Sequence, residues 1–288
     1  MSIGLFYNVS DWINNSIIKH IRQKGIKVEP IDINKFILDI HNKNKFKHKL
    51  YINRVYPSSN ISSYNNLRFM LEIIRHIENI GIPVINSFNA TYMDYSKTEA
   101  NNILEKHNIP TARTLLFSNL ESARKAANKL KFPKIIKMDC GGKARNVYKA
   151  DSKRDYLNII SRLSKGHHLI HVEDFYESKG YSTRLFILNY KLVSATKRNL
   201  ISGWIGSITK GSKSTQYTEL PTEIRKLGEK IARVTNSKIL GLDITETKKS
   251  PVVIDFNATP AFLDRSTDYL GFDPSKAIAD YISSEHSK

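Results

Sequence analysis

The 288-residue chain is long enough for two or three packed modules, and its single cysteine, Cys140, excludes an intrachain disulfide framework and any site built from several thiolates. Lys and Arg total 45 against 27 Asp and Glu, and the resulting +18 suits nucleotides, nucleic acid or acidic polypeptides as partners. The opening MSIGLFYNVSDW lacks a secretory leader's pattern and no apolar run approaches the roughly 20 residues that span a bilayer, so the expectation is a cytoplasmic protein with no membrane partner.

In chain order, Ile3 to Tyr7 reads as a short strand, and Asp11 caps a helix whose Ile17, Ile18 and Ile21 form an apolar stripe ending at Gly25. Ile26 to Ile31 and Leu50 to Val55 read as further strands. A Ser/Asn-rich loop from Ser58 to Asn66 leads into a helix over Leu67 to Ile80, and Pro83 to Ile85 reads as strand. This alternation predicts a small parallel α/β layer over residues 1–92. Between these strands, Lys43, Lys45, Lys47 and Lys49 recur with a period of two, which predicts a basic stripe on one side of an extended segment. A solvated edge that discourages strand pairing explains it equally, and the scattered remainder of the positive charge matches the Asn-, Ile-, Lys- and Tyr-rich drift of an AT-rich genome. No base-reading motif accompanies it.

A second module, 93–170, follows with a helix at Lys97 to His107, a strand at Thr114 to Phe117, a helix at Leu120 to Leu130 and a strand at Lys134 to Met138 that runs into Gly141 and Gly142. After a helix at Tyr156 to Leu163, a strand at Leu169 to Phe175 leads into the third module, 171–288. It holds two hairpins, Arg184 to Leu188 with Leu192 to Lys197 and Ile239 to Thr245 with Val252 to Phe256, and a helix from Glu223 to Val234 between them. No internal repeat is visible.

Chemistry concentrates in GLDIT at 241–245 and VVIDFNATP at 252–260, where each apolar strand presents an acidic residue. Carboxylates on adjacent antiparallel strands can face one another, and Asp255 and Asn257 share a face because their spacing is two. Asp243, Asp255 and Asn257 then offer the hard oxygens magnesium takes when nucleotide phosphates also hold it. Lys137 leaves a buried strand just before Gly141 and Gly142, an arrangement in which an ammonium and loop amides could clamp phosphate, although a lysine and two glycines have little specificity alone.

Taken in order, these motifs resemble the RimK-like ATP-grasp ligases along nearly the whole chain. The carriers are Lys97 in YSKTEANNILEKHNIPTA, Lys137 before the glycine pair, HVEDF at 171–175, KGYSTR at 179–184, ATKR at 195–198, and the closing Asp243, Asp255, Asn257 and Pro260. The resemblance implies an α/β fold of α+β modules, namely an ATP-grasp fold with an N-terminal Rossmann-like pre-ATP-grasp domain (1–92), a central lobe (93–170) and a C-terminal lobe with the metal site (171–288). It implies ATP and Mg2+ as cofactors, with Mn2+ as an alternative, and formation of an amide through an acyl phosphate. Lys97, Lys137, Gly141 and Gly142 would hold the phosphates, Glu173, Asp174 and Phe175 the adenine, and Arg198 the transferred phosphoryl group. Arg184 is a weaker candidate that could equally be a structural ion pair. Ser182 stands where the family often places an acidic ribose ligand, aspartate replaces the family's glutamate at Asp255, and Ala144 and Asn146 stand at expected glycine positions. Ile205 and Ser207 replace an arginine and an asparagine near the substrates. The implied partners are an amino acid such as glutamate, or another carboxylate, and an amine acceptor that could be a peptide or protein, with a homo-oligomer left open.

Other readings have less support. His167, His168 and His171 lack a partner that would close a zinc site, Cys140 has no histidine near it in sequence, and no nucleophile elbow supports a hydrolytic triad. An ATP-grasp kinase acting on a hydroxyl and a non-catalytic, basic nucleic-acid-binding shell remain as alternatives. The second is not favoured, because paired carboxylates repel phosphate unless a metal intervenes.

Overall fold

A computed structural model of the chain describes residues 2–56, 61–138, 146–163, 169–262, 268 and 270–287. The first layer contains β1 (Ser2–Tyr7), α1 (Trp12–Gln23), β2 (Lys27–Asp32), β3 (Leu50–Arg54), α2 (Ile61–Asn79) and β4 (Val84–Ile85). Its four strands are all parallel in the order β2-β1-β3-β4. Asp11 caps α1 by accepting from the Asn14 amide, as the sequence predicts. The Ser/Asn-rich stretch expected to be loop is helical from Ile61, because serine and asparagine in a helix cost only tenths of a kcal/mol each, about what one apolar contact restores.

The lysine stripe is not extended. Lys43–Lys45 forms a 3-10 turn, which breaks the period of two, and the side chains of Lys45, Lys47 and Lys49 go to different partners. Lys45 donates to the Ile37 carbonyl, Lys47 lies 3.7 Å from Glu29 and Lys49 donates to the His286 carbonyl at 2.9 Å.

Two helices, α3 (Phe88–Tyr95) and α4 (Lys97–Lys106), join this layer to the rest. Next comes a four-stranded antiparallel sheet of β5 (Thr114–Phe117), β6 (Lys134–Met138), β7 (Val147–Ala150) and β8 (Ile170–Asp174), in the order β5-β8-β6-β7. It packs on α5 (Leu120–Ala126) and α6 (Lys153–Arg162) around the wholly buried Tyr156, Ile136 and Ile160. Strand β8 straddles the expected boundary at 170/171 and pairs within this sheet on both sides.

The second sheet contains β9 (Tyr181–Leu188), β10 (Lys191–Asn199), β11 (Ser214–Gln216), β12 (Ile239–Glu246) and β13 (Pro251–Asn257), in the order β11-β10-β9-β12-β13. The β9–β10 turn, Asn189-Tyr190, has φ of 47° and 65°, the paired left-handed conformation that a two-residue hairpin requires. On one face Leu185, Ile187, Leu240, Leu242 and Ile244 pack against α7 (Thr222–Val234), α3 and α4. Alternation turns Arg184, Asp243 and their register partners to the other face. The C-terminal helix α8 (Pro274–His286) returns to lie against α1, so Ile278 and Ile282 share a core with Ile3, Ile17, Phe186 and Ile239. Among the described residues no helix is long and apolar enough to cross a membrane.

Three side chains of the first hundred residues grip three successive residues that follow β13. Asn86 donates to the Ala258 carbonyl at 2.6 Å, Asp94 accepts from the Thr259 amide at 3.0 Å, and Arg54 donates to the Pro260 carbonyl at 3.2 Å. Asn86 also donates to the Ile239 carbonyl and accepts from the amides of Lys238 and Ile239. Asn86→Ala leaves these buried groups without partners and is expected to cost about 3 kcal/mol or more, read by urea unfolding.

Candidate active site

The register of the β12–β13 hairpin sets Asp243 directly opposite Asp255, one carboxylate from each strand, and places Arg184 on β9 opposite Asp243 on the other side. Arg184 Nη1 lies 2.9 Å from Asp243 Oδ2, and Arg198 Nη1 lies 3.1 Å from Asp243 Oδ1. Gly241 makes room for this fork, since a Cβ at that position would come within 2.4 Å of Arg184 Nη2. Arg184, which the sequence leaves between a catalytic and a structural role, thus joins the same carboxylate as Arg198.

Asp255 is held by Lys97, whose Nζ lies 2.5 Å from Oδ1. Desolvation would raise the Asp255 carboxyl, but Lys97, Lys137 and Arg184 outweigh it and bring it down to about 2. Desolvation likewise acts to lower the Lys97 ammonium, yet Asp255, Glu173 and Asp94 hold it above its ordinary value. Lys137, on β6, completes the set. It lies 2.8 Å from Glu173 Oε2 and donates to the Ile254 carbonyl at 3.0 Å, tying the smaller sheet to the strand that carries Asp255. Asn257 directs Nδ2 toward Asp255 Oδ2 at 3.3 Å and the Gly241 carbonyl at 3.4 Å.

Lys97, Lys137, Arg184, Arg198, Asp243, Asp255 and Asn257 therefore converge although they come from six elements. Glu173, which the resemblance places at the adenine, joins them through its side chain. Its strand is paired on both sides, and the Asp174 amide donates to the Arg113 carbonyl, so backbone groups able to meet a base begin at Phe175. The Asp174 side chain pairs with Lys134, and Lys149 Nζ sits 4.7 Å from the Phe175 ring centre. Ser182 lies opposite Arg198 but is 4% exposed and covered by Gly206, whose Cβ, if present, would come within 2.0 Å of the serine Oγ. Gly141 and Gly142, with Cys140, Ala144, His167 and His168, lie outside the described residues. His171 is buried on β8, and among the described residues no group of three or more His, Cys, Asp or Glu could hold a metal by itself.

The donor set fits magnesium held jointly with a nucleotide: two facing carboxylates and an amide give too few ligands for a protein-only cage, and four cations stand ready for phosphate oxygens. The same cations neutralise the carboxylates.

Asp94 is a site residue that the sequence reading missed. It carries no motif of its own, and only its place three positions before Lys97 hints at a role. Desolvation raises its carboxyl to about 6, Asp255 adds to the rise, and hydrogen bonds from Thr259 oppose it. Because the folded value exceeds the ordinary 3.8, the folded chain keeps a proton between those values that the unfolded chain has lost. The Asp94 contribution to stability therefore falls as pH rises through that window. Asp94→Asn keeps an acceptor for Thr259 and is expected to remove this slope, so that Tm at pH 4 relative to pH 7 is lower than in the wild type.

Residues 95–282 match the RimK-like ATP-grasp domain family, and the chain belongs to that family. It is 25% identical over 191 residues to a probable alpha-L-glutamate ligase of Legionella pneumophila (strain Corby), a match covering 65% of this chain and 63% of that protein. The matched region thus spans slightly under two thirds of that relative's length. Among solved structures, the RimK domain protein ATP-grasp from Sphaerobacter thermophilus superposes with a TM-score of 0.77 at 17% identity, covering 98% of this chain and 99% of that one. The ATP-grasp ligase PsnB complexed with minimal precursor gives 0.71 at 17% identity, with the same coverages. At such identities the likeness establishes the ATP-grasp fold.

Proposed function

We propose that the chain is an ATP-dependent carboxylate–amine ligase that forms ADP and phosphate. The observation that carries this reading is the pair Asp243 and Asp255, facing across one hairpin and each neutralised by cations of the kind that bind phosphate. Asp243, Asp255 and Asn257 would hold Mg2+, with Mn2+ as a substitute. Lys97 and Lys137 would turn from their carboxylates to the phosphate oxygens, Gly141 and Gly142 would add loop amides, and Phe175 would wall the adenine. Magnesium, when bound there, would supply positive charge to the ATP phosphates. A substrate carboxylate oxygen attacks the γ-phosphorus as the bond to ADP breaks, giving an acyl phosphate. The amine nitrogen then attacks the acyl carbon, phosphate leaves, and the nitrogen loses a proton to give the amide. Arg198, with Arg184 beside it, would bear the negative charge that grows on the transferred group and the tetrahedral intermediate.

The name of the Legionella relative supports an amino acid such as glutamate as one substrate, and a structure of PsnB complexed with a precursor peptide supports a peptide or protein as a candidate acceptor. The family and the absence of a spanning helix among the described residues fit a cytoplasmic location. The test is a panel of acids and amines incubated with magnesium-ATP, followed for ADP and phosphate and by mass spectrometry. A ligase releases free phosphate and a product lighter by one water than its two substrates. A phosphorylated product without free phosphate would make the enzyme a kinase instead.

A further inference from the structure

Arg54 ends β3 and heads the largest wholly buried side chains of the protein. Its Nε donates to Asn14 Oδ1 at 3.0 Å and its Nη2 to the Pro260 carbonyl at 3.2 Å, which fixes the guanidinium plane. Nη1, with two further N–H groups, has no partner among the described residues. The nearby carboxylates are engaged elsewhere: Asp11 accepts from the Asn14 amide and the Tyr56 hydroxyl, and Asp94 accepts from Thr259. A buried donor on a charged group is costly to leave unpaired, and a ligand acceptor offsets that cost. The position also suits a ligand, because open parallel sheets bind small molecules beyond the carboxyl ends of their strands. Arg54 stands at such an end and touches the turn that follows Asp255.

We infer that Arg54 receives a free carboxylate of a small α-amino acid substrate between the end of β3 and the Ala258–Pro260 turn. The planar fork of a guanidinium matches a carboxylate. The setting argues against phosphate: Asp11 and Asp94 both act on the Arg54 charge and would repel a dianion, while they suit the ammonium of an amino acid. Occupation requires the turn to lift from β3, because Nη1 is sealed from solvent. The inference rests on the ligase reading for what happens to the bound molecule, but not for its binding.

The test is equilibrium titration of the full chain, with magnesium and a non-hydrolysable ATP analogue, using the common L-α-amino acids, the α-carboxamide of each binder, and inorganic phosphate. At least one amino acid is expected to bind, its carboxamide about tenfold or more weakly, and phosphate is not expected to displace it. In Arg54→Gln, checked for native Tm, acid and amide should bind alike. If that variant does not fold, the acid-to-amide ratio in the wild type decides. The inference is overturned if no amino acid binds, if the amide binds as well as the acid, if phosphate displaces the amino acid, or if folded Arg54→Gln still discriminates. Binding without ADP release would remove the ligase reading and leave Arg54 as the carboxylate receptor.

Discussion

Asp255→Asn is expected to lower turnover by about two orders of magnitude or more, since under the proposed mechanism it removes a charged metal ligand, and it takes away the carboxylate that Lys97 and Lys137 face. The same change should also weaken the nucleotide-free chain. Asp255 is the carboxylate that Lys97 meets at 2.5 Å, and an amide leaves Lys97, Lys137 and Arg184 in mutual repulsion. With 34% of the Asp255 side chain exposed, solvent screens part of the loss, and about 1–2 kcal/mol is expected by urea unfolding at pH 7. The acid limb provides a second readout. The folded value of about 2 lies below the ordinary 3.8, so the stability Asp255 contributes is present above 3.8 and lost as pH falls through about 2. The variant should lack that part of the acid loss. Near-normal turnover in Asp255→Asn would remove this residue from the catalytic assignment.

What the sequence made legible follows from how local each signal is. The strands over Thr114–Phe117 and Lys134–Met138 were readable to the residue because short apolar runs bounded by polar residues mark strands, even though Leu115 and Leu116 stay exposed while Ile135 and Ile136 are buried. The Asp243–Asp255 face-off was readable because alternation fixes the face once two strands are paired, and the two apolar runs lie close enough in sequence to form a hairpin. Helix α8 was not foreseen, as its burial depends on α1, which lies at the other end of the chain. Distance in sequence hid the clamp on the Ala258–Pro260 turn too, since Arg54, Asn86 and Asp94 sit in unremarkable contexts and acquire meaning only when the first layer docks on the second sheet. The side-chain role of Glu173 and the covering of Ser182 by Gly206 are of the same kind, set by neighbours that no spacing rule brings together.

Lys137→Met is expected to reduce magnesium-ATP affinity by roughly tenfold to a hundredfold, since the charge-assisted contact to phosphate proposed for it is lost while the length of the side chain is kept. Interpretation needs a companion variant, because Lys137 also carries structure. Its ammonium joins Glu173, whose side chain is 7% exposed, to the backbone of β13, and methionine leaves that carboxylate buried and unpaired. Stability should therefore fall as well, by about 3 kcal/mol. Adding Glu173→Gln removes the stranded charge and is expected to recover most of that stability in urea unfolding, yet leave nucleotide affinity low in calorimetric titration. Recovery of both together would mean that Lys137 serves only to hold the smaller sheet against β13, and the phosphate would have to be held by Lys97 and the arginines alone.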